Sequence, residues 1–545
     1  MTSRITRAAV VVSGLLLVFV LLSGCSAQPK LASLPLTREQ KVQDFRYLAQ
    51  VFLDNYPYLW AAQRKTGFDW PAHVSEFEQE IAATETDEEF ALEIAEILGL
   101  LNNGHTGIAY PGTASAYGSS VTMGRWRDEV HKTTLERVGY WAGLSKAYSG
   151  SGSGSFESPF CAVYAAGEYV VVSVSPEVTK AGLDIQPGWT VTAIGGQPVS
   201  EYVKSMLRSR RLLYDPVRNR LYLRQLLLPR TAGDSDPGTF SASFRTRDGD
   251  VVERALPMKV GLWDPSYYWP PRYKDASATT DQTGNLFAIM LDRGVGYVRV
   301  GSMARDYKGQ MSLLRRFLSE QRPQALIIDV RGNGGGSDNY WQALVSMLAA
   351  EPVKSRFAVT WRSGEYVKPF IEQKVAVKLP EMSRSELDDL ASSGACVPPE
   401  VLTPAFVLPR AWDRTIQPNA SLNYRGKICL LVDDYVFSSA ESFAAFCKGS
   451  KWATVIGSFT GGDGIGFDPA LVTLPNSGML IRFPLDMGLN PDLTANEEKH
   501  TIPDILVEWG PDDLLRYVAT RGEPGRPDPE WDPQLRAALE WIAGK

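Results

Sequence analysis

The chain has 545 residues, 44 % of them hydrophobic, and a formal net charge of −6. That length allows about three domains, and the mild acidity excludes the broad basic surface that neutralises nucleic-acid phosphates. No solenoid or propeller period is visible, so function should reside in one site. The five cysteines and four histidines are too scattered for a metal-ligand spacing, so no metal and no cofactor is expected.

At the N-terminus Arg4 and Arg7 precede an apolar run from Ala8 to Leu22 that ends in Leu22-Ser23-Gly24-Cys25. The run is short for a transmembrane helix and reads as an export signal. The small residues before Cys25 resemble the lipobox at which bacterial signal peptidase leaves an acylated cysteine. Residues 1–25 are thus expected to be a lipoprotein signal peptide, with Cys25 as the lipidation site. The mature chain would be extracytoplasmic, held by its lipid on the cell membrane or the outer membrane. Ser26 permits outer-membrane sorting in a two-membrane bacterium. Of the remaining cysteines, Cys429 and Cys447 look like core packing; an oxidising compartment would allow a Cys161–Cys396 disulfide, which the sequence leaves open.

Residues 30–110 predict a helical domain. Thr37 with Gln40, and Thr86 with Glu89, form capping-box patterns ahead of apolar faces. The second helix stops at Asn102-Asn103-Gly104, a left-handed terminus, and His105 follows directly. Residues 111–159 read as a linker or insertion, with a helix within 124–148 and a Ser/Gly-rich end. Residues 160–262 turn β-rich, and their order of strands, Gln186-Pro187-Gly188 loop and Gly195-Gly196 turn resembles a PDZ domain. Such domains bind an extended peptide as an added strand. Trp189 stands where many of them carry aspartate, and residues 208–228 look inserted.

From 286 to 510 strands alternate with helices, before a C-terminal helical tail at 511–545. The strand Ala325 to Val330 runs into Asp329-Val330-Arg331-Gly332-Asn333-Gly334-Gly335-Gly336, whose glycines let a backbone approach a ligand. No Gly-Lys-Ser/Thr follows, which disfavours nucleotide binding. The strand Ile428 to Val432 leads through a turn to Phe437-Ser438-Ser439-Ala440-Glu441 and a helix. Ser438 at such an elbow gains from the helix N-terminus, and the Ser439 N–H is placed to meet an oxyanion. Taken alone, Ser438 with Glu441 also fits an N-terminal capping box.

These motifs, followed by Val455-Ile456-Gly457-Ser458-Phe459-Thr460-Gly461-Gly462 and Ile502-Pro503-Asp504-Ile505, together resemble the superfamily of tail-specific (C-terminal processing) proteases, the tricorn core protease and interphotoreceptor retinoid-binding modules. The resemblance implies an α/β fold: a crotonase-like ββα-spiral core with a PDZ-like domain and an N-terminal helical domain before it. Tail-specific enzymes pair their serine with a lysine in a Gly-Lys-Gly turn. Here the turn reads Gly461-Gly462-Asp463-Gly464, so that design is absent. Leu101-Asn102-Asn103-Gly104-His105 resembles instead the tricorn-like histidine pattern, although Gly104 stands where tricorn has a serine. By this likeness Ser438 is the nucleophile, His105 the base, and Glu497 the carboxylate that orients the imidazole or its relay, with Glu498 as the alternative. Ser439 and Gly335 would form the oxyanion hole. The implied activity is hydrolysis of peptide or protein substrates through an acyl-enzyme. The rival implication is a noncatalytic ligand- or peptide-binding protein on the same fold.

Overall fold

The computed structural model describes residues 36–146, 159–210, 214–215, 220–221, 226, 228, 238–257, 273–374, 378–394, 396–520 and 525–544. The signal-like segment with Cys25 and the Ser/Gly-rich run at 149–155 lie outside these. Among the described residues no helix is long and apolar enough to cross a membrane.

Strands Val295–Val300, Ala325–Asp329 and Lys427–Val432 are apolar nearly throughout and buried along almost their whole length. Such runs require cover on both faces of a sheet. They sit in a seven-stranded sheet, where Val295–Val300, Ala325–Asp329, Lys427–Val432, Thr454–Gly457 and Ile505–Leu506 run parallel in that order. Side chains alternate with period two. Leu326, Ile328, Leu430 and Val432 pack with helices Asp338–Leu348 and Ser439–Ser450, whereas Ile327, Cys429, Leu431 and Ile456 pack with Leu535 and Ala538 of helix Pro533–Ile542. The C-terminal segment expected as a tail thus closes the second face of the core.

A buried ion cluster fixes that closure. Arg331 is fully buried, with Nη2 2.7 Å from Asp329 Oδ2 and 2.7 Å from Asp532 Oδ2. Burial alone would raise the Asp329 carboxyl, but the Arg331 and Arg299 guanidiniums hold it below its ordinary range. Asp329 and Leu431 are register partners, so the loops that leave these two parallel strands emerge side by side. That is the crevice at the carboxyl ends of the strands where open α/β sheets place their sites.

Both N-terminal capping boxes form, at Thr37 with Gln40 and at Thr86 with Glu89. Helix Asp87–Gly99 buries Phe90, Ile94, Ile97 and Leu98, each contributing roughly 2 kcal/mol. This core is continuous with Ala470–Thr473 and Leu480–Phe483 of the later chain. Strand Gly107–Ile108 pairs with Leu480–Phe483, with Gly107 opposite Arg482, and joins the two parts by backbone hydrogen bonds. Residues 111–146, expected as a linker, hold three helices: Pro111–Gly118, Gly124–Val130 and Leu135–Lys146. The β-rich segment forms its own antiparallel sheet from Phe160–Ala165, Glu168–Val174, Thr190–Ile194, Thr239–Arg245 and Val251–Pro257, with a separate apolar core. Cys161 is buried in that sheet and Cys396 is exposed, both as free thiols, so the disulfide left open by the sequence does not form.

Candidate active site

The turn after Lys427–Val432 delivers Ser438 with φ 57° and ψ −126°, a backbone region that non-glycine residues occupy only under constraint. The constraint is visible on both sides. Phe437 N–H donates to Asn333 O at 3.2 Å, and Gly461 N–H donates to Val436 O at 2.7 Å. Ser438 makes no side-chain cap on helix Ser439–Ser450, which removes the capping-box reading. Glu441, the other half of that box, is instead buried and accepts from Asn496 Nδ2 at 2.7 Å and Thr501 Oγ1 at 2.6 Å. The Ser438 hydroxyl is left to face the cleft.

His105 arrives from the N-terminal helical region. Asn102 takes the left-handed conformation expected at the helix stop, with φ 48°. Arg482 then pins the segment by donating from Nε to His105 O at 3.0 Å and from Nη2 to Gly104 O at 3.1 Å. His105 Nε2 stands 3.2 Å from Ser438 Oγ. Its Nδ1 stands 2.7 Å from Asp463 Oδ2. An ionised carboxylate only accepts, so Nδ1 carries the hydrogen and the neutral ring presents a lone pair at Nε2 to the serine hydroxyl. The Phe437 ring lies against the imidazole at a centroid distance of 4.6 Å. A Cβ at Gly104 would come 2.7 Å from Phe437 Cζ, so glycine at this position is what allows that packing.

The carboxylate that meets the histidine is therefore Asp463, and the assignment of Glu497 is corrected. Glu497 Oε1 accepts from Lys65 Nζ at 2.6 Å, and the same ammonium donates to Asn102 O at 3.0 Å. Glu497 is buried, and burial pushes its carboxyl up to about 7 despite the Lys65 charge. The alternative, Glu498, pairs with Arg64 at 2.8 Å. Asp463 is placed by the turn expected to have lost the family's lysine, and the glycines around it permit close approach. A Cβ at Gly464 would stand 2.3 Å from Ser438 O, and the Gly464 N–H donates to Asn496 Oδ1 at 2.9 Å. Asn103 Nδ2 and the Tyr58 hydroxyl also donate to Asp463, at 2.8 and 3.1 Å. Burial alone would raise this carboxyl; the neighbouring imidazole and the hydrogen bonds from His105, Asn103 and Tyr58 hold it below its ordinary value.

The oxyanion assignment also changes in part. Ser439 begins its helix beside Ser438, as expected. The Gly335 N–H, however, donates to Asn333 Oδ1 at 2.9 Å and is already engaged. Gly335 O and Ser337 N both bond to Met303, at 2.9 and 2.7 Å, so in this strand-like pairing the intervening Gly336 N–H points to the opposite side. Gly336 lines the cleft together with Ser438, Ser439, His105 and Asp463, around a volume of about 580 Å³.

Sequence reasoning missed Asp463, Tyr58 and Asn103. A signal for Asp463 was present: a carboxylate bracketed by glycines, in the turn that follows the strand beside the serine. Nothing near Tyr58 in the sequence marks it.

A serine, an imidazole and a carboxylate joined in one hydrogen-bonded line at the crevice of an α/β core is the arrangement of a serine peptidase. Residues 294–507 match peptidase family S41. Solved structures that resemble the chain include mature CPAF complexed with lactacystin, 15 % identical with a TM-score of 0.52, over 93 % of this chain and 99 % of that one. Mature CPAF alone is 16 % identical with a TM-score of 0.52, over 93 % and 98 % of the two chains. The photosystem II D1 C-terminal processing protease is 15 % identical with a TM-score of 0.33, over 90 % and 99 %. At these identities the CPAF likeness shows the fold. No curated protein sequence matches the chain.

Proposed function

We propose that the chain is an exported, lipid-anchored serine peptidase in which Ser438 is the nucleophile, His105 the base and Asp463 the group that orients and stabilises the imidazole. The observation that carries this reading is the pair of contacts at His105, 3.2 Å to Ser438 Oγ and 2.7 Å to Asp463 Oδ2. Nε2 takes the Ser438 proton as Oγ attacks the scissile carbonyl, and the Ser439 and Gly336 amides receive the charge that develops on the carbonyl oxygen. The resulting imidazolium gives its proton to the leaving amine, which departs and leaves an acyl-enzyme. His105 then activates water to release the acid and regenerate the serine.

The export signal and Cys25 support attachment to a membrane by lipid. The PDZ-like order of residues 160–262 supports selection of extended peptide chains ahead of cleavage.

Intact-mass analysis after treatment with a fluorophosphonate tests the chemistry. A single adduct is expected on the parent, none on Ser438→Ala, and labelling slowed by about 10³-fold or more on His105→Ala, where the base is gone. Absence of an adduct on folded parent protein overturns the peptidase reading.

A further inference from the structure

Among the described residues, four aspartates line the Ser438 cleft: Asp338, Asp463, Asp468 and Asp486. Three are matched by a charged or ionisable partner. Asp463 has His105 at 2.7 Å, Asp468 has Lys374 at 2.7 Å, and Asp338 has Arg414 at 2.6 Å. Asp486 has none. Its Oδ1 accepts from the Phe467 N–H at 3.0 Å, while its Oδ2 is buried without a hydrogen-bond partner. The residue is only 4 % exposed. A Cβ at Gly466 would stand 2.9 Å from Oδ2, so glycine there keeps a side chain off the carboxyl.

A buried carboxyl without a counter-charge is costly in its ionised form. Burial, with the negative charges of Asp463 and Asp468 nearby, pushes Asp486 up to about 8, against the pull of the Phe467 amide and of Lys374, which is already bound to Asp468. Among the described residues the buried Tyr58 side chain also senses it. Burial without a counter-charge thus favours the protonated form of Asp486. A cation placed against Oδ2 would supply what the other three aspartates already have, and Asp486 would release its proton to solvent on binding.

We propose that Asp486 is the specificity-determining residue of this cleft, receiving the guanidinium or ammonium of an arginine or lysine side chain of the substrate near the bond that Ser438 attacks. The proposal deepens the peptidase reading and rests on it for the substrate, but the binding site can be tested without turnover. The same cationic chemistry could come from a peptide's free N-terminus, and the experiment separates the two.

The test is calorimetric titration of the full-length chain in detergent with benzamidinium, N-acetyl-arginine amide and alanine amide. Benzamidinium and the acetylated arginine should bind the parent, more tightly at pH 9 than at pH 6 as Asp486 ionises more readily. Their affinity should fall at least tenfold in Asp486→Asn, which retains an oxygen for the Phe467 amide, and by less than threefold in Asp338→Asn. Equal binding by the parent and Asp486→Asn, or no benzamidinium binding by the parent at pH 9, overturns the proposal. Tighter binding of alanine amide than of the acetylated arginine overturns the side-chain source. If Asp486→Asn does not fold, Asp486→Ser, which also removes the carboxylate, takes its place, and affinity within threefold of the parent overturns the proposal. Fluorophosphonate labelling without cation binding would sink the subsite alone; cation binding without labelling would sink the peptidase reading alone.

Discussion

Two buried carboxylates flank the segment that carries His105, and they have opposite surroundings. Asp463 sits on a glycine-bracketed turn, receives hydrogen bonds from His105, Asn103 and Tyr58, and is held ionised. Glu497 sits on the short helix Asn496–Lys499, faces Lys65, and is pushed toward its neutral form. Both are acidic, both are buried, and both stand in the later chain of the peptidase core. What separates them is the donor that each meets: an imidazole bonded onward to a serine in one case, an ammonium that ties down the Asn102 carbonyl in the other. The chemistry of a buried acid is thus set by its partners and not by its residue type or its distance from a motif.

The comparison breaks most sharply at Asp463. Asp463→Asn keeps the shape but offers an amide where Nδ1–H needs an acceptor, so the ring is favoured in the wrong tautomer. The expected loss in kcat is about 10³- to 10⁴-fold with folding intact, read by peptide hydrolysis and by the rate of fluorophosphonate labelling. A loss below tenfold would return the orienting role to another group. A smaller effect is expected from the imidazole side. Gly104→Ala drives a Cβ against the Phe437 ring at 2.7 Å, and displacement of His105 by a fraction of an ångström should lower kcat about 10²-fold. Labelling kinetics at unchanged unfolding midpoint check this.

The mildest change is expected at Glu497, where the two carboxylates also differ in the sign of their pH dependence. Asp463, with a folded-state pKa below the unfolded one, contributes stability above about pH 4 that is lost as pH falls through its folded value. Glu497, raised from 4.5 to about 7, retains in the folded state a proton that the unfolded chain releases. Its contribution therefore declines as pH rises from 4.5 through about 7, by about 3 kcal/mol over that window. Glu497→Gln should flatten this decline in urea unfolding series while leaving kcat/KM within about tenfold of the parent. An unchanged slope would mean that another group titrates there.

The core and the serine elbow were legible because local pattern and local structure coincide there. Apolar runs such as Lys427–Val432 can only be buried strands, and the serine after the following turn can only stand at a strand-to-helix junction. His105 was legible through the helix stop at Asn102, although its partner was not. The Gly335 amide, expected in the oxyanion hole, is taken up by the Asn333 side chain instead. No glycine pattern encodes that.

The sequence by itself determined the two capping boxes, the buried strands of the core and the positions of Ser438 and His105 at the ends of their elements, all of which follow from periodicity, capping chemistry and motif within a few residues of each other. Tertiary structure alone decided that Asp463, 358 residues beyond His105, closes the hydrogen-bonded line, that Lys65 claims Glu497, and that the C-terminal helix seals Arg331 into the core. Each of those outcomes depends on which polar groups are driven into the same buried volume. Burial makes an unmatched charge costly, and the pairing that relieves it is settled by packing between segments far apart in the chain.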